Sequence, residues 1–159
     1  MELTSPAFTD GGEIPRECGY KNGNRAPSLK WELNPDIFPG DSHPQSFALI
    51  MDDPDAMGAV GKVWVHYVAW NISWFADGKP NFSGRFHING MNDFGEVGYG
   101  GPAPPDKRHS YVFKLYALDC ELDLPRVGGE SKSTKADVEK AMEGHIIEQT
   151  QLTGTYAPD

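Results

Sequence analysis

The sequence predicts a single mainly β domain spanning residues 1–159, closed by one short helix near its C-terminus. Three observations point there. Gly (18) and Pro (13) are numerous and scattered without a fixed period, which favours short strands joined by turns over long helices or repeats. Several runs alternate or cluster apolar residues at strand length, whereas one window alone shows helical spacing. No linker-like shift in composition divides the chain, and 159 residues suffice for one core but are short for two.

In chain order, Leu3 to Phe8 is expected to be the first strand, stopped by Thr9-Asp10-Gly11-Gly12. Asn22-Gly23-Asn24 signals a turn. Leu29 to Leu33 alternates apolar and polar residues, as a half-buried strand does. Pro35 to Pro44 is connection, and Ser46 to Met51 is a compact apolar strand running into Asp52 and Asp53. Val63 to Ile72 is the strongest strand, rich in Val, Trp and Tyr with no breaker inside. Ser73 to Phe94, with Gly78, Pro80, Gly84 and Gly90, is a long surface connection with room for one short strand. Tyr111 to Asp119 is a second strong strand with the composition of one covered on both faces. Thr134 and Asp137 have capping-box spacing, Val138, Ala141 and Met142 make one helical face, and Gly144 is placed to stop the helix. Ile146 to Tyr156 is extended and Thr-rich, and closes the fold.

The formal net charge of -9 argues against nucleic acid as a partner and against docking on anionic membranes through a basic patch. No apolar run reaches membrane-spanning length, and the first ten residues show neither the basic nor the apolar region of a secretory signal. Cys18 and Cys120 have no metal-type spacing, so two reduced thiols in a cytoplasmic protein are expected. No motif implies a cofactor or a resident metal.

The chemistry concentrates in two stretches. Asp52-Asp53-Pro54-Asp55-Ala56 precedes Trp64-Val65-His66, and Gly98-Tyr99-Gly100-Gly101-Pro102-Ala103-Pro104-Pro105 precedes His109-Ser110-Tyr111. Pro54 keeps Asp53 out of helical geometry, so an extended backbone would point Asp53 and Asp55 to one face. The plain alternative is a polar turn with local hydrogen bonds. With period two, Trp64, His66 and Val68 share one face of their strand, and Val63, Val65 and Tyr67 share the other. His66 is then either a satisfied core histidine or an imidazole oriented by an aspartate toward a pocket. His109 and Tyr111 can face one side, beside a stiff Pro wall with few N–H donors. The Gly/Pro run lacks the phosphate-loop pattern.

These residues, in order, resemble the phosphatidylethanolamine-binding protein family, which includes the Raf kinase inhibitor proteins and prokaryotic relatives. The resemblance rests on Leu3-Thr4-Ser5-Pro6-Ala7-Phe8, Asp53-Pro54-Asp55-Ala56, Trp64-Val65-His66, Asn92-Asp93-Phe94-Gly95, the run from Gly98 to Pro105, His109-x-Tyr111, Tyr116-Ala117-Leu118-Asp119, Gly144-His145 and Gly154-x-Tyr156. It implies antiparallel β-sheets with a short C-terminal α-helix, and a pocket for phosphate-like anions such as phospholipid head groups. Carried over, Asp53, Asp55, His66, Pro104, Pro105, His109 and Tyr111 would line that pocket. The resemblance also implies a regulator of a kinase, protease or signalling partner, often without enzymatic activity, and in prokaryotic relatives often a dimer. The chain departs from the family at Met57, Tyr67 and Asp106-Lys107-Arg108, all expected at the pocket rim, and at Ala103, where relatives often carry a cysteine that could pair with Cys18.

Two functions follow as expectations. The first is a non-enzymatic binding protein for a small anion, with Asp53 or Asp55 beside His66 holding the ring cationic. The second is a hydrolase acting on a phosphoester or acyl bond by acid–base work of the Asp and His groups, or through a metal held by His66, His109 and one aspartate. No serine or cysteine has a nucleophile motif around it.

Overall fold

A computed structural model describes residues 1–73 and 87–159. The strands are β1 (Glu2–Thr4), β2 (Lys30–Glu32), β3 (Ser46–Asp53), β4 (Trp64–Ile72), β5 (Ile88–Asn89), β6 (His109–Leu118) and β7 (Ile146–Tyr156). The helices are α1 (Ala56–Val60) and α2 (Lys135–Met142), with a 3-10 turn at Arg16–Cys18. β1 and β2 form a two-stranded sheet, and the other five pair antiparallel in the order β5-β4-β3-β6-β7.

β3 is central in the larger sheet, and all eight of its residues are buried, which explains its near-continuous apolar run. One face packs Phe47, Leu49, Met51, Phe113 and Leu115 against Leu3, Leu29 and Trp31 of the small-sheet layer. The other packs Ala48, Ile50, Val68, Trp70 and Leu118 against Val138 and Met142 of α2. Each of those two helix side chains is fully withdrawn from water, worth about 1.5–3 kcal/mol apiece. The capping box on α2 is complete: Thr134 accepts from the Asp137 N–H, and the Asp137 carboxylate accepts from the Thr134 N–H at 2.8 Å. The helix ends before Glu143, whose ψ of 125° is no longer helical, and Gly144, at φ 80°, is the left-handed residue of the turn that follows.

Four sequence expectations change. The first strand stops at Thr4, because Pro6 offers no ladder donor and Ser5 Oγ folds the chain into a turn, accepting from the Ala7 N–H at 3.0 Å. β6 alternates in burial over its first six residues and is buried on both faces only over the last four. A helix absent from the sequence reading, α1, follows Asp55; its five residues include Gly58 and show no period. Within β4, two bulges reset the side-chain alternation. Met51 faces Tyr67 while Asp52 faces Val65, leaving His66 as the extra residue. Val65 therefore packs on the side of Val68 and Trp70, not with Tyr67, and His66 turns to the Tyr111 side. The second bulge centres on Asn71, at φ 52°, whose side chain bonds both the N–H and the C=O of Leu122. The long connection expected from Ser73 to Phe94 falls partly outside the described residues; its described part holds β5. No helix among the described residues is long and apolar enough to cross a membrane.

Candidate functional site

The bulge in β4 aims His66 at the segment from Gly98 to Pro105. Gly100 and His66 hold each other twice: the Gly100 N–H donates to the His66 carbonyl at 2.9 Å, and the His66 Nδ1–H donates to the Gly100 carbonyl at 2.6 Å. A carbonyl cannot donate, so the proton sits on Nδ1 and Nε2 carries the lone pair of a neutral ring. Burial drives the His66 pKa down, and outweighs the Gly100 bond and the Asp53 charge that act to raise it. His66 is thus held by a backbone carbonyl, not oriented by Asp53 or Asp55 as expected.

The segment itself is clamped from the other side. Asn24 accepts from the Gly101 N–H at 2.7 Å and donates to the Tyr99 carbonyl at 3.1 Å. Gly101 passes so close to the 3-10 turn that a Cβ would lie 2.0 Å from the Cys18 carbonyl oxygen, so only glycine fits.

Asp53, at the end of β3, pairs with the other imidazole. His109 Nδ1 lies 2.7 Å from Asp53 Oδ2, and His109 Nε2 lies 2.7 Å from Asp106 Oδ1. A ring bonded to carboxylates through both nitrogens must carry both hydrogens, so this arrangement describes an imidazolium. Burial opposes its charge, but the hydrogen bonds to Asp53 and Asp106, reinforced by their negative charges, raise the His109 pKa above the ordinary value. Asp53 Oδ1 also accepts from the Ala56 N–H at 3.1 Å, tying the pair to the start of α1.

A cleft of about 140 Å³ lies over these groups, lined by Asp53, Ala56, Ala59, Val60, Trp64, His66, Phe94, Ala103, Pro105 and His109. Of the seven residues expected at the site, Asp53, His66, Pro105 and His109 line it, and Asp55, Pro104 and Tyr111 do not. Asp55 is helical in backbone rather than extended, and accepts from the Ser110 N–H at 2.8 Å on the exposed side. Pro104 is buried behind the wall. Tyr111 lies beneath, edge-on to His66 at 5.2 Å between ring centres, with its hydroxyl buried and without a well-formed hydrogen bond. A larger cleft of about 450 Å³ between the N-terminal segment and β7 contains no imidazole, and its Asp10 is already engaged by the Thr153 N–H. Chemistry therefore favours the smaller cleft over the larger.

The rim also differs from expectation. Tyr67 is buried in the core with its hydroxyl on Asn89 at 2.7 Å, and exposed Met57 does not line the cleft. Arg108 turns away to Glu13 at 3.2 Å. Trp64 and Phe94 line the cleft; both lie in motifs quoted from the sequence but were not among the seven residues expected at the pocket. Phe94 is set by Asn92, whose side chain accepts from the Phe94 and Glu96 N–H groups, and it meets Trp64 and His66 edge-on at 5.5 Å. The Trp64 Nε1–H is buried without a partner. The signals were Trp64 two residues before His66 and Asn92-Asp93 as a turn former. Among the described residues, His66, His109 and an aspartate do not bring ligand atoms together as a metal site would; both histidines spend ring nitrogens elsewhere.

Comparison with known proteins agrees with this architecture. The family model for phosphatidylethanolamine-binding protein matches residues 4–157. A UPF0098 protein of Methanothermobacter thermautotrophicus is 41% identical, over 98% of each chain. A UPF0098 protein of Chlamydia muridarum is 37% identical, over 100% of each. The crystal structure of CT736 of Chlamydia trachomatis, described as a homolog of phosphatidylethanolamine-binding protein, superposes with a TM-score of 0.81 at 34% identity, covering 99% of this chain and 97% of that one. Escherichia coli YbcL, described as a member of the mammalian PEBP family, gives 0.79 at 30% identity, covering 99% and 98%. The chain belongs to the phosphatidylethanolamine-binding protein family.

Proposed function

We propose that this protein is a non-enzymatic binding protein whose cleft takes a small protonated oxyanion, such as inorganic phosphate or the phosphate of a phospho-amine head group. One observation carries the reading: His109 Nε2 already binds an oxyanion of its own chain, the exposed carboxylate of Asp106, at 2.7 Å. A ligand oxygen displacing Asp106 would meet the same charged donor, while Asp53 stays behind on Nδ1. His66 Nε2 would accept the proton of a P–OH group, and the Trp64 ring forms part of the cleft wall. Asp53 and Asp106 repel anions, so affinity should be modest.

No Ser, Thr, Cys or Lys stands among the described residues lining the cleft, and Asp53 and His109 are committed to each other. That leaves the His66 lone pair as the one candidate nucleophile among them and favours binding over covalent hydrolysis. In this reading occupancy of the cleft changes the surface around Pro105 and Asp106, and a kinase, protease or other signalling partner in the cytoplasm senses that change. The test is a 15N NMR titration of the histidine rings with inorganic phosphate near neutral pH. The His109 and His66 ring signals should move together and saturate. Ring signals that stay still while phosphate is raised to high millimolar levels contradict the reading.

A further inference from the structure

We propose that Asp119, Cys120 and His145 form a second site, which takes a divalent cation of borderline softness such as Zn2+. It stands apart from the cleft. His109 opens β6 and Asp119 follows its last residue, so about 30 Å of strand separates the two at ~3.3 Å per residue.

The three donor atoms, one imidazole nitrogen, one thiol sulfur and one carboxylate oxygen, lie within 4.8 Å of one another. His145 Nδ1 is 2.7 Å from Asp119 Oδ1. A tetrahedral ion with Zn–S near 2.3 Å and Zn–N or Zn–O near 2.0 Å needs neighbouring ligands roughly 3.3–3.6 Å apart. Side-chain tips therefore shift by about an ångström to admit the ion, and the half-exposed Asp119 and His145 side chains have the freedom to do so.

The backbone beneath them is fixed. The Asp119 N–H donates to the His145 carbonyl at 3.0 Å, and the His145 N–H donates to the Met142 carbonyl at 2.9 Å. The Cys120 carbonyl accepts from Ser46 Oγ at 2.6 Å. Gly144 in its left-handed conformation turns the chain from α2 into β7, setting His145 opposite Asp119.

Ligand chemistry chooses the cation. One sulfur and one nitrogen among three donors favour Zn2+, Co2+ or Ni2+ over Mg2+ and Ca2+, which prefer oxygen. Three protein ligands leave a fourth position for water or another small ligand, unlike the ligand set of a closed structural site. The net charge of -9 draws cations to the surface. Cys120 binds as the thiolate and its proton passes to solvent.

The experiment titrates Zn2+, and separately Co2+, into the metal-stripped full-length protein, wild type beside Cys120→Ser and His145→Gln. One ion per chain is expected, with a thiolate-to-cobalt charge-transfer band in the near ultraviolet. Each variant should weaken binding by about tenfold or more, at least what loss of an outer-shell partner costs a metal site. Zn2+ should also protect Cys120 from alkylation; the other thiol, Cys18, is only 3% exposed and does not compete. No uptake by wild type, a cobalt spectrum lacking the thiolate band, or unchanged affinity in both variants would each overturn the proposal.

Discussion

Replacing Asp53 by alanine tests the buried pair beneath the cleft. Asp53 and His109 are 3% and 1% exposed, so their pair is desolvated. Losing Asp53 leaves His109 only the Asp106 contact on Nε2, which places the cost toward the low end of the range for breaking a buried pair. The substitution strips the acceptor from His109 Nδ1 at 2.7 Å and from the Ala56 N–H at 3.1 Å. Removing one partner of a buried ion pair costs about 3–5 kcal/mol. Against a total stability of roughly 5–15 kcal/mol for a domain, that is a large share. With a urea slope near 2 kcal/mol/M, the unfolding midpoint should fall by about 1.5–2.5 M. Asp53→Asn keeps an acceptor and loses only the charge, so its midpoint should lie between alanine and wild type. The assay is urea denaturation followed by tryptophan fluorescence and circular dichroism near neutral pH. An alanine midpoint within about 0.5 M of wild type, equivalent to roughly 1 kcal/mol at that slope, would refute the buried-pair reasoning.

The two histidines should act on stability with opposite signs of pH dependence. His109 has a raised folded pKa, so its contribution is complete below the unfolded value near 6.5 and is lost as pH rises through the folded value. His66 has a lowered folded pKa, so stability drops as pH falls from about 6.5 toward that value. Urea midpoints taken across this range should therefore decline on both sides, and Asp53→Ala should flatten the alkaline side; a midpoint that climbs steadily above pH 6.5 contradicts the His109 assignment. Gly101→Ala forces a methyl group into the Cys18 carbonyl, 2.0 Å from the ideal Cβ position, and should cost about 1–3 kcal/mol while weakening ligand binding; unchanged melting would show that the segment is not clamped. Thr134→Ala removes the cap of α2 and should cost about 1 kcal/mol in the same assay, with no change in ligand affinity.

Much of the sheet was legible because its signals are local. β4, β6 and β7 are long runs of strand-forming residues, and the Thr134–Asp137 box sits in four consecutive residues. Two kinds of feature were not legible. The β4 bulge at His66 arises from register with β3, a pairing invisible in either strand alone, so the faces of Val65 and Tyr67 were assigned wrongly. The α1 segment, Ala-Met-Gly-Ala-Val, is too short for a period, and its helical start takes Asp55 off the face it was expected to share with Asp53. At the site, the residue types were readable but their partnerships were not. Asp53 serves His109 across 56 positions, and His66 is held by a backbone carbonyl that no side-chain pattern announces. The Asp106-Lys107-Arg108 run was readable only as a departure at the pocket rim; the 2.7 Å contact of Asp106 with His109 Nε2 shows which group it occupies.

That contact makes the most direct measurement of the anion-binding claim a calorimetric titration of inorganic phosphate into wild type and Asp106→Asn, with sulfate as the comparison ion. The side chain is exposed, so the variant should fold as wild type does. Relieved of the competing carboxylate, Asp106→Asn should bind phosphate several-fold more tightly than wild type. Sulfate, which has no proton to offer His66 Nε2, should bind both more weakly than phosphate does. Equal phosphate affinity in the two proteins, or sulfate binding as tightly as phosphate, would contradict the assignment of His109 and His66 as the donor and acceptor of the site.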